Sequence, residues 1–320
     1  MKRWWVLLLL FFITAQAVRA GTTNVSACGT LNASTTYNLT QNVSLNGSNC
    51  FSSGADNIEL DCQGYWIVGN KTLNAYGEIL HDSGQATINA TIKNCNFLDY
   101  DEAMNLKTTN STIQNNVVYT IAVSGSNGIN PWTGVGNNIT GNTVYSYGTL
   151  AISVSASGSG PITRVWNNTI DIRNMSQAFS GGRGGDEFYN NTIYSSTNNF
   201  TTAITIIQPS SGVSMYSNNI TISGYNGCSS SAHTAILYGH NSTIYNNYIF
   251  LNYTGSNFNG NLYGIVGPWT GVNDSVIYNN TVIVDTNKTD QTCYAYAITT
   301  SGTTNTIKNI TIYNNTFQAL

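Results

Sequence analysis

The chain has 320 residues, 41% of them apolar and only 8% charged, with 30 Gly, 4 Pro, 6 Cys and a formal charge of −3. The apolar fraction is enough for a buried core, while the shortage of Lys and Arg excludes the basic stripe that nucleic-acid binding needs. With 3 His and 14 carboxylates in the whole chain, metal and acid–base chemistry are thinly supplied.

Residues 1–20 read as a secretory signal. Lys2 and Arg3 precede an apolar run from Trp4 to Thr14, followed by small-residue cleavage sites at Ala15-Gln16-Ala17 or Val18-Arg19-Ala20. The run is short for a span of about 20 residues, and no second one follows, so no membrane span is expected after cleavage. Cleavage after Ala20 removes Lys2, Arg3 and Arg19 and leaves 8 basic against 14 acidic residues. The mature chain is therefore expected to be mildly acidic and secreted or held at the cell surface. Sequons (Asn-x-Ser/Thr) run densely from Asn24 to Asn314 and fit a glycosylated exterior, although a chain rich in Asn and Thr also makes them by chance.

A segment at 21–56 carries Cys28 and Cys50 and reads as an N-terminal cap; from 57 to 320 the chain repeats. The first repeated column begins Ile58-Glu-Leu-Asp-Cys62 and Thr91-Ile-Lys-Asn-Cys95. It continues through fragments such as Thr243-Ile-Tyr-Asn-Asn247 and ends at Thr311-Ile-Tyr-Asn-Asn315. Its last position is Asn116, Asn142, Asn168, Asn191, Asn218, Asn247, Asn280 and Asn315, at spacings of 21 to 35 residues once the two cysteines are included. A second column, small then apolar then polar, includes Ala103-Met104-Asn105, Ala122-Val123-Ser124, Ala151-Ile152-Ser153, Ala203-Ile204-Thr205 and Ala297-Ile298-Thr299. Period-two alternation over short runs signals strands, and no window holds a helical period. Units this small cannot close a core alone, so neighbours must stack, with parallel strands about 4.8 Å apart. The recurring Asn then falls at a tight turn, where amides can bond from coil to coil and a left-handed backbone is tolerated. A β-sandwich would instead bring hairpins with Asn-Gly or Asp-Gly turns.

The segment Cys28-Gly29 … Tyr37-Asn38-Leu39-Thr40 … Cys50 … Asp56-Asn57-Ile58-Glu59-Leu60-Asp61-Cys62, with the Ile-Tyr-Asn-Asn-Thr coils, resembles secreted right-handed parallel β-helix repeat proteins of the pectate-lyase-like superfamily. The resemblance covers essentially the whole mature chain. It implies an all-β, single-stranded solenoid of about ten coils whose functional groove follows the second-column strand and its loops. Activity is left open, since the superfamily holds lyases, hydrolases, epimerases, adhesins and tailspikes.

Cys62 and Cys95 replace the ladder Asn in adjacent coils, within reach of a disulfide. Cys28 and Cys50 bracket the N-terminal segment and are expected to pair, leaving Cys228 with Cys293. A glycosidase needs two carboxylates about 5–9.5 Å apart, and a calcium-dependent lyase needs clustered carboxylates with a basic residue. The groove rows supply neither, so no cofactor is expected, and Ca2+ only if the protein is a lyase. The remnants are Asp82 beside Lys107 in adjacent coils, with Asp99, Asp101 and Glu102 just upstream of the second strand, and Arg183 with Asp186 and Glu187 on a glycine-rich loop. Each also reads as a solvated ion pair. The pentapeptide Pro-Trp-Thr-Gly-Val occurs twice, placing Trp132 and Trp269 on one edge five coils apart, with His240 at a loop edge. Indoles there could stack on sugar rings, or each could fold over its own coil as an anchor. The expected role is structural or adhesive contact with a polysaccharide or glycan surface without catalysis. The alternative is a polysaccharide lyase or glycoside hydrolase. Residues 310–320 are still in mid-pattern, so end-to-end self-association or a longer chain is expected at that edge.

Overall fold

A computed structural model describes residues 21–320 apart from 32–34, 45–48, 54–55, 72–75, 83–84, 122–125, 132–133, 155–159, 174–176, 196–204, 210, 224–232, 253–260, 268–273, 286–293 and 301–308. The described strands stack into three long sheets, of 12, 11 and 13 strands, in which almost every neighbour is parallel. One coil runs through Thr112–Gln114, Val117–Thr120 and Asn127–Asn130. The next runs through Asn138–Thr140, Thr143–Ser146 and Leu150–Val154. Each strand pairs with its counterpart one coil away, as Ile113 with Ile139 and Ile129 with Ile152. The chain is thus a right-handed parallel β-helix, the hand that parallel crossovers take.

Alternation explains why such short segments hold. In the twelve-stranded sheet the middle residue of each three-residue strand points inward, as Ile113, Ile139, Val165, Phe188, Met215, Ile244 and Ile277, all buried. Each contributes roughly 1.5–3 kcal/mol by leaving water. Residues 21–56, expected as a cap, join the same ladders: Gly21–Val25 pairs with Thr35–Leu39, which pairs with Glu59–Asp61.

The turn after the twelve-stranded sheet is held by the Asn ladder. The backbone N of Asn191 and its Nδ2 both donate to Oδ1 of Asn218, at 3.1 and 3.0 Å, and Asn191 Nδ2 also donates to the Val165 carbonyl. The pattern runs from Asn116 through Asn142, Asn168, Asn218, Asn247 and Asn280 to Asn315. The left-handed backbone falls to the residue before each ladder Asn: Asn115, Asn167, Asn190, Ser217, Asn246, Asn279 and Asn314, with φ between 52° and 56°. One amide takes the strained conformation and the next takes the hydrogen bonds. Where the ladder Asn is Asn142, Gly141 fills the left-handed position at φ 66°.

Disulfides join Cys28 to Cys50 and Cys62 to Cys95, with Cα atoms 4.6 and 4.7 Å apart. Cys62 is not level with Cys95, however. Glu59 pairs with Thr91, which sets Cys62 level with Asn94, one step before the ladder position. The first turn carries Gln63 and Gly64, both at positive φ, and this longer turn absorbs the slip. Cys95 does stand on the ladder, its N donating to Asn116 Oδ1 at 2.9 Å. Cys228 and Cys293 lie outside the described residues.

Candidate functional site

The thirteen-stranded sheet carries the second column. Its first position is small because the next coil's carbonyl lies against it: a Cβ at Gly128 would stand 2.6 Å from the Ala151 oxygen, and one at Gly264 would stand 2.5 Å from the Ala297 oxygen. Two strands differ from expectation. In the third coil the strand is Asn127–Asn130, not Ala122–Ser124, and Ile129 pairs with Met104 and Ile152. Further on it is Thr205–Pro209, with Ile207 against Phe179 and Ile236, not the triplet starting at Ala203. A small–apolar–polar triplet occurs twice in 122–130, and the hydrophobic pattern alone cannot say how much chain the loop takes. The outward residue after Asn105 is therefore Asn130 rather than Ser124.

The strand Asn127–Asn130 assembles a polar cluster. The Glu102 carboxylate accepts from Asn105 Nδ2 at 2.6 Å, from Asn127 Nδ2 at 2.8 Å, and from Asn130 Nδ2 at 3.3 and 3.4 Å. Asn130 Oδ1 is buried without a hydrogen-bond partner among the described residues. Next to it, Asp101 accepts from Ser126 Oγ at 2.6 Å.

The same segment turns a corner into a cleft of about 460 Å³, lined by Lys71, Leu98, Asp99, Tyr119, Thr120 and Tyr147 together with Ile121. Asp99 is a bulged residue: pairing with the next strand shifts between Leu98 and Tyr100, and Asp99 has φ 63°. Lys71 Nζ lies 3.6 Å from its carboxylate. The aromatic wall is fixed before any ligand arrives. Tyr119 stacks on Tyr145 at 4.4 Å, and the backbone N of Tyr147 and of Gly148 donate to Thr120 Oγ1. Arg173 donates to the Tyr147 hydroxyl and to Asp171, and lies over the Tyr145 ring at 4.6 Å. Burial works against the Arg173 charge, yet the bonds to Asp171 and Tyr147 hold its pKa above the ordinary value. The charged groups around the cleft therefore come as two opposite pairs, Lys71 with Asp99 and Arg173 with Asp171.

The other expected site residues are placed apart. Leu80 pairs with Leu106, so Lys107 comes level with His81, and Asp82 pairs with Gln85 in a short antiparallel hairpin. Asp82 and Lys107 are thus one residue out of register. The glycine-rich loop folds onto itself. Arg183 donates through Nη2 to the carbonyls of Gly160 and Pro161, and Asp186 accepts from the backbone N of Thr163 and of Arg183, each at 2.8 Å. Asp186 is fully buried. Burial pushes its carboxyl above the usual range, against those two backbone bonds and the Arg183 charge. Glu187 lies on the twelve-stranded sheet, 2.8 Å from Arg164 Nε. His240 is half-buried at a turn, its N donating to Ser211 Oγ. Trp132 and Trp269 lie outside the described residues.

Asp186 also belongs to a second inner ladder, at the turn entering the twelve-stranded sheet. Ala90 N donates to Ser111 Oγ, Ser111 N to Asn137 Oδ1, Asn137 N to Thr163 Oγ1, and Thr163 N to Asp186 Oδ1. On the outer face of that sheet, Trp166, Tyr189, Tyr216, Tyr245, Tyr278 and Tyr313 stack in one continuous file, with centroids 4.7 to 5.8 Å apart and planes within 9°. Burial among these rings, and then the Glu187 charge, push the Tyr216 phenol up to about 12. Each inner ring spends both faces on its neighbours, so the file offers edges rather than stacking platforms. Among the described residues no group of three or more His, Cys, Asp or Glu could hold a metal ion, and no helix is long and apolar enough to cross a membrane.

Neither a family model nor a curated protein sequence matches the chain. Solved structures do. The tailspike protein of Escherichia coli bacteriophage HK620, in complex with a pentasaccharide, is 11% identical over 92% of this chain and 74% of its own, with a TM-score of 0.51. The A-module of the mannuronan C-5 epimerase AlgE6 of Azotobacter vinelandii is 15% identical over 93% and 89%, with a TM-score of 0.43. The catalytic unit of an α-1,3-glucanase from Streptomyces thermodiastaticus is 10% identical over 90% and 63%, with a TM-score of 0.42. The chain shares the right-handed parallel β-helix fold. At these identities the likeness is one of fold alone.

Proposed function

We propose that the protein is exported and binds a polysaccharide at the corner where the eleven-stranded sheet passes into the thirteen-stranded one, holding it without cleaving it. The observation that supports this is the run from Leu98 to Asn105, which lines the cleft at one end and carries the Glu102 amide cluster at the other. Sugar hydroxyls pair well with a carboxylate, with amides and with paired charges, and Tyr119 and Tyr147 give an apolar wall. Because the cleft charges come in opposite pairs, neutral sugars suit it better than acidic ones. The two disulfides fit an oxidising compartment. The tailspike of the same fold is in complex with a pentasaccharide, which is a property of that protein.

Catalysis by two carboxylates is the second reading, because Asp101 and Glu102 are adjacent at this corner. A glycan array, run with assays for new reducing ends and for unsaturated products, separates the two. Retention of a neutral glycan without product is expected. Product that disappears in Glu102→Gln would replace the binding role with an enzymatic one, and no retention of any glycan would remove both.

A further inference from the structure

The sequons do not fall at random on the coils. Four of them are the same triplet in the same place: Asn167-Asn168-Thr169, Asn190-Asn191-Thr192, Asn279-Asn280-Thr281 and Asn314-Asn315-Thr316. In each, the first Asn is the left-handed turn residue, exposed, and its side-chain amide makes no hydrogen bond among the described residues. The second is the ladder Asn. The third is a Thr that opens the next strand. Register therefore puts the acceptor position on the exposed amide. None of the eight ladder Asn heads a sequon, because the residue two places on from each is apolar and never Ser or Thr, buried in every case but Phe317.

We infer that Asn167, Asn190, Asn279 and Asn314 are N-glycan acceptors, forming a file of glycans along the turn between the twelve- and eleven-stranded sheets. The inference rests on the export reading above. The chemistry is transfer from a lipid-pyrophosphate-linked oligosaccharide. The Asn Nδ2–C1 bond forms, the C1–oxygen bond to pyrophosphate breaks, the amide loses one proton, and the lipid pyrophosphate leaves. The turn accommodates the product because the modified amide gives up no hydrogen bond and no burial, while the stacked Asn behind it keeps the stem rigid. Strand sequons differ. Asn38 lies within Thr35–Leu39 and Asn138 within Asn138–Thr140, both half-buried. A glycan file on this edge lies one whole sheet away from the corner cleft, which enters at the far end of the eleven-stranded strands.

The test is secretion of the full chain from a host that transfers N-glycans, followed by amidase release in heavy-oxygen water and peptide mapping. Label is expected at Asn167, Asn190, Asn279 and Asn314, and not at Asn38 or Asn138. Thr169→Val, Thr192→Val, Thr281→Val and Thr316→Val, which leave the turn amides in place, should each remove label from one site. A secreted, folded chain unlabelled at all four turns would overturn the inference, and so would equal labelling at Asn138. A chain that is not secreted at all would overturn the export reading, and this inference with it.

Discussion

The Asn turn and the corner around Glu102 are built from the same materials, amides and tyrosine rings, and use them in opposite ways. At the turn each amide is spent on its counterpart one coil away: Asn218 accepts from Asn191 and donates to Asn247 and to the Phe188 carbonyl. The rings beside it do likewise, Tyr245 lying between Tyr216 and Tyr278 at 4.7 and 4.9 Å. At the corner three different Asn converge on one carboxylate, Asn130 Oδ1 has no partner among the described residues, and Tyr147 lines a cleft. Identical residues stacked in register satisfy one another and hold the solenoid. Unlike residues brought together leave groups for a ligand.

Breaking the regular side should cost the most. Asn218→Ala strands two donors on Asn191 and takes the Nδ2 donor away from the Phe188 carbonyl in a buried setting, while Asn247 Oδ1 keeps the backbone N of residue 218. We expect a loss of roughly 3–5 kcal/mol in denaturant unfolding, since each orphaned group costs about 1–3 kcal/mol. Removing the Cys62–Cys95 bond by a double change to Ala releases a long loop and should cost about 3–4 kcal/mol by the same measurement. Tyr245→Ala opens the middle of the ring file and should cost about 1–3 kcal/mol, with Tyr245→Phe close to neutral, because a stacked pair adds about 0.5–1.5 kcal/mol.

The smallest effect is in pH. The folded pKa of Asp186 is raised, chiefly by burial, so its contribution to stability is fullest when it is protonated and declines as pH rises through the folded value. Melting temperatures of wild type and Asp186→Asn, followed from acid to neutral pH, should diverge against the wild type. A constant difference would show that Asp186 ionises as freely as in the unfolded chain.

The regular side was legible in the sequence because stacking repeats the same residue. The Asn column, the β-helix and the Cys62–Cys95 and Cys28–Cys50 bonds all follow from identities that recur or stand out. The tyrosine file was equally visible as the Tyr before each Asn pair, but its face-to-face geometry needs the register. The second inner ladder could not be seen, since Ser111, Asn137, Thr163 and Asp186 share a place and a hydrogen-bonding role without sharing a side chain. For the same reason Asp186 and Arg183 read as a site when they form a turn. Glu102 stands out in the sequence only as a carboxylate upstream of a strand, because its partners, Asn127 and Asn130, lie in a strand whose position depends on a loop length that the pattern does not fix.

The separation of the two sides can be measured directly by titrating the retained glycan into Glu102→Gln and Tyr245→Ala while recording the melting temperature of each. A crossed result is expected: Glu102→Gln loses binding and melts close to wild type, whereas Tyr245→Ala melts lower and binds normally while folded. Unchanged binding in Glu102→Gln, or lost binding in folded Tyr245→Ala, would contradict it.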